Sequence, residues 1–293
     1  MESLMSIGLV TLLLIVFGLY EYAVHQKHLS KIPIRIHVNG TRGKSSVTRL
    51  IGAGLRAGGF NTITKVTGTF PRMILGDGTE VAVHRKEKAN ILEQLNIVKY
   101  CANQGADVLL IECMALNPIY QRITEHQMIK ATHGVITNIR LDHLDVMGPG
   151  LQNVADALSL TVPRKSQLFT SEDRMLGFLR KKAAKLKTDL HVADGSDVSE
   201  ADMHGFTYFE HPQNVSLALR ICASLNIDRA KALAAMKRTI PDEGALRKFS
   251  VSLNGHPVHF YNALAANDPE SSLMLWDNIQ KMESGKKDYL MLI

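Results

Sequence analysis

Apolar positions open the chain as a nearly unbroken run and later break into short blocks. Over residues 4–22 only Glu21, at the margin, carries charge, and residues 7–19 are almost wholly apolar. That length is near the short end for crossing a bilayer. Tyr20 and Tyr22 close the run with rings suited to a membrane interface, and Lys27, Lys31 and Arg35 follow. The positive-inside rule then keeps the rest of the chain in the cytoplasm. No basic residue precedes the run and no small-x-small cleavage site follows it, so the pattern predicts an uncleaved single-pass anchor over residues 1–24 rather than a signal peptide.

Beyond the anchor, short β-branched runs alternate with stretches of helical periodicity, the order expected of an α/β fold with a mostly parallel sheet. Strands are predicted over residues 34–39, 108–112 and 134–138, and helices over 47–57, 92–104 and 151–160. Dense turn chemistry at Pro241-Asp242-Glu243-Gly244 divides a central domain, 25–240, from a C-terminal unit, 241–293. Lys287 to Ile293 reads as the opening of a buried strand, so the C-terminal unit is expected to be incomplete.

Composition narrows the classes. Three cysteines, Cys101, Cys113 and Cys222, stand far apart with no C-x-x-C pair. A disulfide framework or zinc site is therefore excluded, and Cys101 and Cys113 read as packing residues. The net charge of +6 resides partly in clusters such as Arg180-Lys181-Lys182. These suit a solvated helix face, and without interleaved aromatics they exclude nucleic acid as the main partner.

The candidate chemistry begins where the first strand ends. Gly40, Thr41, Arg42, Gly43, Lys44, Ser45 and Ser46 form a glycine-framed loop between a strand and a helix. Backbone N–H groups, a lysine and a hydroxyl converge there at a helix N-terminus, which suits a nucleotide's phosphates. The usual phosphate loop has a glycine five residues before Gly43; here Val38 stands there. Glu112 ends the apolar run Leu109-Leu110-Ile111, and a carboxylate so placed must be paired, metal-bound or functional. It is an oxygen donor suited to Mg²⁺, directly or through water. Asp142-His143-Leu144-Asp145 follows the third strand, with His143 a candidate cation ligand and a neighbouring aspartate orienting its ring. All three segments lie at C-terminal ends of strands, where open α/β sheets bind ligands.

Together, Gly40-Thr41-Arg42-Gly43-Lys44-Ser45, Glu112 and Asn138-x-x-x-Asp142-His143-Leu144-Asp145 resemble the ATP-dependent Mur ligase and folylpolyglutamate synthase superfamily. Within it the chain is most similar to the ligase subunits of poly-γ-glutamate synthases of capsule biosynthesis. The similarity is carried by the N-terminal apolar segment, Thr67-Gly68-Thr69, the stretch from Glu112 to Tyr120, and the stretch from Asp142 to Pro149.

The resemblance implies a carboxylate–amine ligase that uses ATP and Mg²⁺, acts on glutamate and poly-γ-glutamate through an acyl phosphate, and works at the cell membrane with other membrane subunits. It makes Lys44, Glu112 and His143 catalytic. Ser45 and Glu112 would hold one Mg²⁺ and His143 a second, while Asn138 belongs to the nucleotide site. Asn214 matches a residue that contacts adenine, and Arg247 one that reaches the nucleotide near the domain junction. Arg42 and Arg72 favour the anionic polymer. Asn262 and Ala266 stand where the family has a ribose-binding aspartate and a histidine. No lysine stands at residues 157–160, where many Mur ligases carry a carbamylated one. A Rossmann-like C-terminal domain is expected to begin near Ala245. The alternative is a membrane-associated nucleotide-binding subunit that scaffolds a synthase without complete catalysis.

Overall fold

The computed structural model describes residues 2–68, 70–83, 85, 89–253 and 256–262, together with Ser272, Leu273, Trp276, Asp277, Ile279 and Gln280. An eight-stranded sheet organises the chain. Its strands are β1 (Ile34–Asn39), β2 (Thr62–Val66), β3 (Arg72–Ile74), β4 (Glu80–Ala82), β5 (Val108–Glu112), β6 (His133–Ile136), β7 (Gln167–Thr170) and β8 (Asp189–Val192). They lie in the order β4-β3-β2-β5-β1-β6-β7-β8. The strands from β2 to β8 in that order pair in parallel, while β3 and β4 add an antiparallel edge.

Helices cover both faces, which is why the central strands read as continuous apolar runs. The helices are α1 (Glu2–Ser30), α2 (Lys44–Ala57), α3 (Glu93–Asn103), α4 (Pro118–Ile123), α5 (Leu144–Met147), α6 (Leu151–Leu158), α7 (Leu176–Leu186), α8 (Glu200–Met203), α9 (Pro212–Ser224) and α10 (Arg229–Met236). Alternate side chains of a strand point to opposite faces. Ile36, Val38, Val108 and Leu110 accordingly pack with Val47, Leu50 and Ile51 of α2 and with α9 and α10. Ile63, Leu109 and Ile111 pack the other way, against α3 and Leu29 at the end of α1. Each fully buried aliphatic side chain of α2 contributes about 1.5–3 kcal/mol over exposure, so this helix is held firmly on the sheet.

Helix α1 carries its apolar side chains outward from Leu4 through Tyr22. It is long and apolar enough to cross a membrane over Leu4–Ser30. It also runs past the expected anchor boundary at residue 24. Its last turns dock on the domain, where His25 Nε2 meets the Met128 carbonyl at 2.8 Å and Leu29 is buried. Predicted and observed elements differ elsewhere at their ends. Helix α2 begins at Lys44 rather than residue 47, because Gly43 in the left-handed region caps it (φ 78°). Strand β6 ends at Ile136, so Asn138 lies in the loop beyond it. Within the described residues the chain after 240 forms an antiparallel hairpin, β9 (Arg247–Leu253) with β10 (His256–Asn262), where a Rossmann-like opening was expected. Ala266 and the strand expected at 287–293 lie outside the described residues.

Candidate active site

The loop after β1 is clamped by the residues just beyond β6. The Asn138 side-chain oxygen accepts from Thr41 Oγ1 at 2.7 Å and from the Arg42 amide at 3.0 Å. Its Nδ2 donates to the Arg42 carbonyl at 3.1 Å. Thr137 Oγ1 donates to the same carbonyl at 2.6 Å, and the Thr41 amide donates to the Asn138 carbonyl at 3.0 Å. The loop presses so closely on Thr137 that a Cβ at Gly40 would sit 2.0 Å from Thr137 Oγ1, and Gly40 has φ +134°. Only glycine meets both demands. Asn138 therefore shapes the loop through its bonds to Thr41 and Arg42.

At the mouth of the loop Lys44 Nζ donates to the carbonyls of Gly40 and Thr41 at 2.8 and 3.1 Å. Ser45, in the first turn of α2, donates to Glu112, with its Oγ 3.1 Å from each carboxylate oxygen. Glu112 is 2% exposed, and the Thr67 amide also donates to it at 2.7 Å. The parallel pairing of β1 with β5 places Val38 opposite Glu112, so loop and carboxylate share one end of the sheet. This donor set, a hydroxyl at a helix N-terminus beside a buried carboxylate, is the oxygen chemistry that Mg²⁺ prefers when phosphates complete its shell.

His143 adopts φ 47° as the N-terminal cap of α5. Its backbone amide donates to Asp142 Oδ1 at 3.0 Å, while Nε2 lies 3.8 Å from the same carboxylate. Gly40, Lys44, Cys113, Asp142 and His143 line one pocket, which brings the histidine motif to the phosphate loop. Among the described residues no three His, Cys, Asp or Glu side chains cluster to hold a metal. A cation at His143 would need phosphate or water oxygens for its other positions.

Asn214, on α9, lies against the loop: a Cβ at Gly43 would lie 3.0 Å from its Oδ1. Its Nδ2 donates to buried Glu210 at 2.7 Å. Ser46 belongs to the first turn of α2, and Arg247 opens β9, opposite Asn262 in the ladder. Both arginines expected to favour a polymer are already paired. Arg42 lies 3.6 Å from Asp142, and Arg72 lies 2.9 Å from Glu243.

Several contributors were given no role in the site by the sequence, although Thr67 belongs to the Thr67-Gly68-Thr69 motif. Thr67 and Thr137 act through an amide and a hydroxyl that only the sheet order brings to the loop. Behind the loop, buried His37 donates from Nδ1 to Glu125 Oε2 at 2.8 Å. Burial alone would lower the His37 pKa, but Cys113 and the Glu125 carboxylate outweigh it and raise the pKa to about 10. Cys113, expected as packing, is buried yet also lines the pocket. Burial raises Cys101 and Cys222 to about 12, in keeping with inert core thiols.

Comparison with known proteins bears on the family and the fold. The model of the Mur ligase middle domain matches residues 38–267, and that of the poly-gamma-glutamate synthase CapB C-terminal domain matches residues 249–293. The chain is 41% identical over 280 residues to the capsule biosynthesis protein CapB of Bacillus anthracis, covering 95% of this chain and 60% of that protein. It is 37% identical over 271 residues to the PGA synthase CapB of Bacillus subtilis strain 168, covering 92% and 69%. Among solved structures, Escherichia coli FolC in complex with ADP superposes with a TM-score of 0.68 at 18% identity, covering 89% of this chain and 69% of that one. The bifunctional folylpolyglutamate synthase/dihydrofolate synthase of Yersinia pestis, complexed with AMPPNP and Mn ion, gives 0.69 at 15% identity, covering 90% and 70%. At such identities the structures share a fold with this chain. From the middle-domain match and the identity to both CapB proteins, the chain belongs to the Mur ligase family, on the branch of the CapB proteins.

Proposed function

We propose that this chain is the ATP-dependent carboxylate–amine ligase component of a poly-γ-glutamate synthase. The observation that carries the proposal is the convergence of Lys44, the Ser45–Glu112 pair and His143 around a loop clamped by Asn138. Its kinship to a PGA synthase CapB selects the polymer. The chain spans about three fifths of the Bacillus anthracis relative, and the activity proposed is that of the whole protein.

In the reaction a carboxylate oxygen of the acceptor attacks the γ-phosphorus of ATP, and ADP leaves. The amino group of the incoming glutamate unit then attacks the acyl carbon, loses a proton, and expels inorganic phosphate. The loop amides and Lys44 bind the phosphates and stabilise charge that grows on the transferred group. Lys44 would exchange its two carbonyl partners for phosphate oxygens, a replacement of weak neutral acceptors by charged ones. Ser45 and Glu112 would hold one Mg²⁺, and His143, steadied by Asp142, would contribute to a second. A magnesium ion bound there supplies neutralisation of the phosphate oxygens. Asn214 would face the adenine, and Arg247 the nucleotide from the domain junction. Residues 25–240 form the ATP-binding unit in this reading, and residues 241–293 belong to the unit that presents the amine.

Helix α1 would anchor the protein in the cell membrane in a single pass, with the ligase on the cytoplasmic side and other membrane subunits beside it. The test supplies glutamate or a short γ-linked acceptor with ATP and Mg²⁺ to full-length protein in membranes, with its neighbouring subunits present. Amide product with matching ADP is expected. Nucleotide binding without amide under every combination of subunits would overturn the proposal in favour of a scaffold.

A further inference from the structure

The turn that joins the central unit to β9 reaches back into the phosphate site. A Cβ built on Gly68 would lie 2.0 Å from Asp242 Oδ2 and 3.0 Å from Ser45 Oγ. The Asp242 carboxylate and the Ser45 hydroxyl thus flank one point, and they are separated by no more than about 5 Å, the span a magnesium ion bridges with one of its waters. Glycine at 68 is what admits the carboxylate; any side chain there would displace it. The adjoining Thr67 amide donates to Glu112. Asp242, Ser45 and Glu112 therefore surround the same backbone step.

The turn is held in that place from both sides. Arg49, one helical turn beyond Ser45 on α2, donates to the Ile240 carbonyl at 3.2 Å and pairs with Glu80. Arg72 pairs with Glu243 at 2.9 Å, and Asn262 Nδ2 approaches the Glu243 carbonyl at 3.4 Å. The Gly244 amide donates to Asp242 Oδ1 at 3.1 Å, while Oδ2 lies beside Gly68. Helix α2 thus fixes both Ser45 and the segment that delivers Asp242.

We propose that Asp242 is a positioning residue for the magnesium site, bound to the ion through a water, and that it couples the interdomain turn to metal-nucleotide binding. Asp242 borders the same backbone step as the Ser45–Glu112 pair, so a cation held by that pair would have a second carboxylate within reach of one of its waters. The inference rests on the reading of Ser45 and Glu112 as the magnesium site. Loss of an outer-sphere partner typically costs about 10–100-fold in metal affinity.

The test measures Mn²⁺ binding to the full-length protein with ADP by electron paramagnetic resonance, and ADP binding in EDTA by calorimetry. The variants are Asp242→Asn and Glu112→Gln. Asparagine still accepts from the Gly244 amide, so the turn stays formed, and equal melting temperatures would verify this. The expected result is Mn²⁺ affinity about tenfold weaker in Asp242→Asn, with metal-free ADP binding unchanged. Wild-type Mn²⁺ affinity in Asp242→Asn, with Glu112→Gln impaired, would overturn the role of Asp242 and leave it a turn cap. No Mn²⁺ binding with ADP in the wild type, or none lost in Glu112→Gln, would overturn the magnesium site itself.

Discussion

Replacing Asn138 by alanine probes the clamp on the phosphate loop. The change removes three side-chain hydrogen bonds, two accepted from Thr41 Oγ1 and the Arg42 amide and one donated to the Arg42 carbonyl. Each is worth about 0.5–1.5 kcal/mol net. Asn138 is only partly buried, so water recovers some of this, and about 2 kcal/mol is the expected loss. For a domain of this size that corresponds to a fall of roughly 4–8 °C in melting temperature. ATP binding should fall by more than tenfold, because the loop amides lose their common aim. Asparagine to aspartate separates the two effects. It keeps both accepted bonds and loses one donated bond, yet adds a negative charge near the phosphates worth about 1–3 kcal/mol of repulsion. Its melting temperature should lie between those of the wild type and the alanine variant, while its nucleotide affinity falls as far as alanine's. Calorimetric unfolding and ATP titration on the same samples decide the matter. An alanine variant that melts and binds as the wild type would refute the clamp.

Other outcomes follow from the same geometry. Gly40→Ala places a Cβ against Thr137 at a left-handed backbone, so it should destabilise by more than about 2 kcal/mol and abolish nucleotide binding; adding Thr137→Ala should restore part of the stability. His37 has its pKa raised from 6.5 to about 10, so its contribution is fully present below pH 6.5 and is lost as pH rises through about 10. Urea unfolding between these values should show a decline that His37→Gln abolishes, and identical pH profiles would refute the pairing with Glu125. Lys65 is fully buried with Nζ 2.6 Å from Glu93, which Arg85 also holds at 2.8 Å. Glu93→Ala strands the lysine and should cost about 3–5 kcal/mol, whereas Lys65→Met leaves Glu93 paired with Arg85 and should cost less. Equal losses in the two variants would show that the triad does not act as a buried charge network.

The sequence made the middle of the sheet legible because those strands are covered on both faces. Ile34–Asn39 and Val108–Glu112 coincide with β1 and β5. The edge was not legible. Strands β3 and β4 are three residues each, too short for any alternation to register. In β2, Thr62, Thr64 and Lys65 are all buried, so polar residues hide a central strand. The phosphate loop, Glu112 and the Asp142–Asp145 motif could be found because each ends a recognisable strand or precedes a helix. Their supports could not. Thr67 and Thr137 act through an amide and a hydroxyl that sheet order brings to the loop, and the Asp242 carboxylate meets Gly68 across the fold, neighbourhoods that no local pattern encodes. Helix α1 was legible as an apolar run, but its docking through His25 and Leu29 depends on α3 and the segment before β6, both distant in sequence.

Acyl phosphate formation is the step on which the proposed reaction turns. A glutamate acceptor labelled with ¹⁸O in the carboxylate, supplied with ATP, Mg²⁺ and glutamate to the full-length protein in a membrane preparation, tests that step. One ¹⁸O atom is expected in each phosphate released, in step with ADP and amide. Phosphate free of label, with ADP formed at the same rate when glutamate is left out, would contradict it and leave a nucleotide hydrolase.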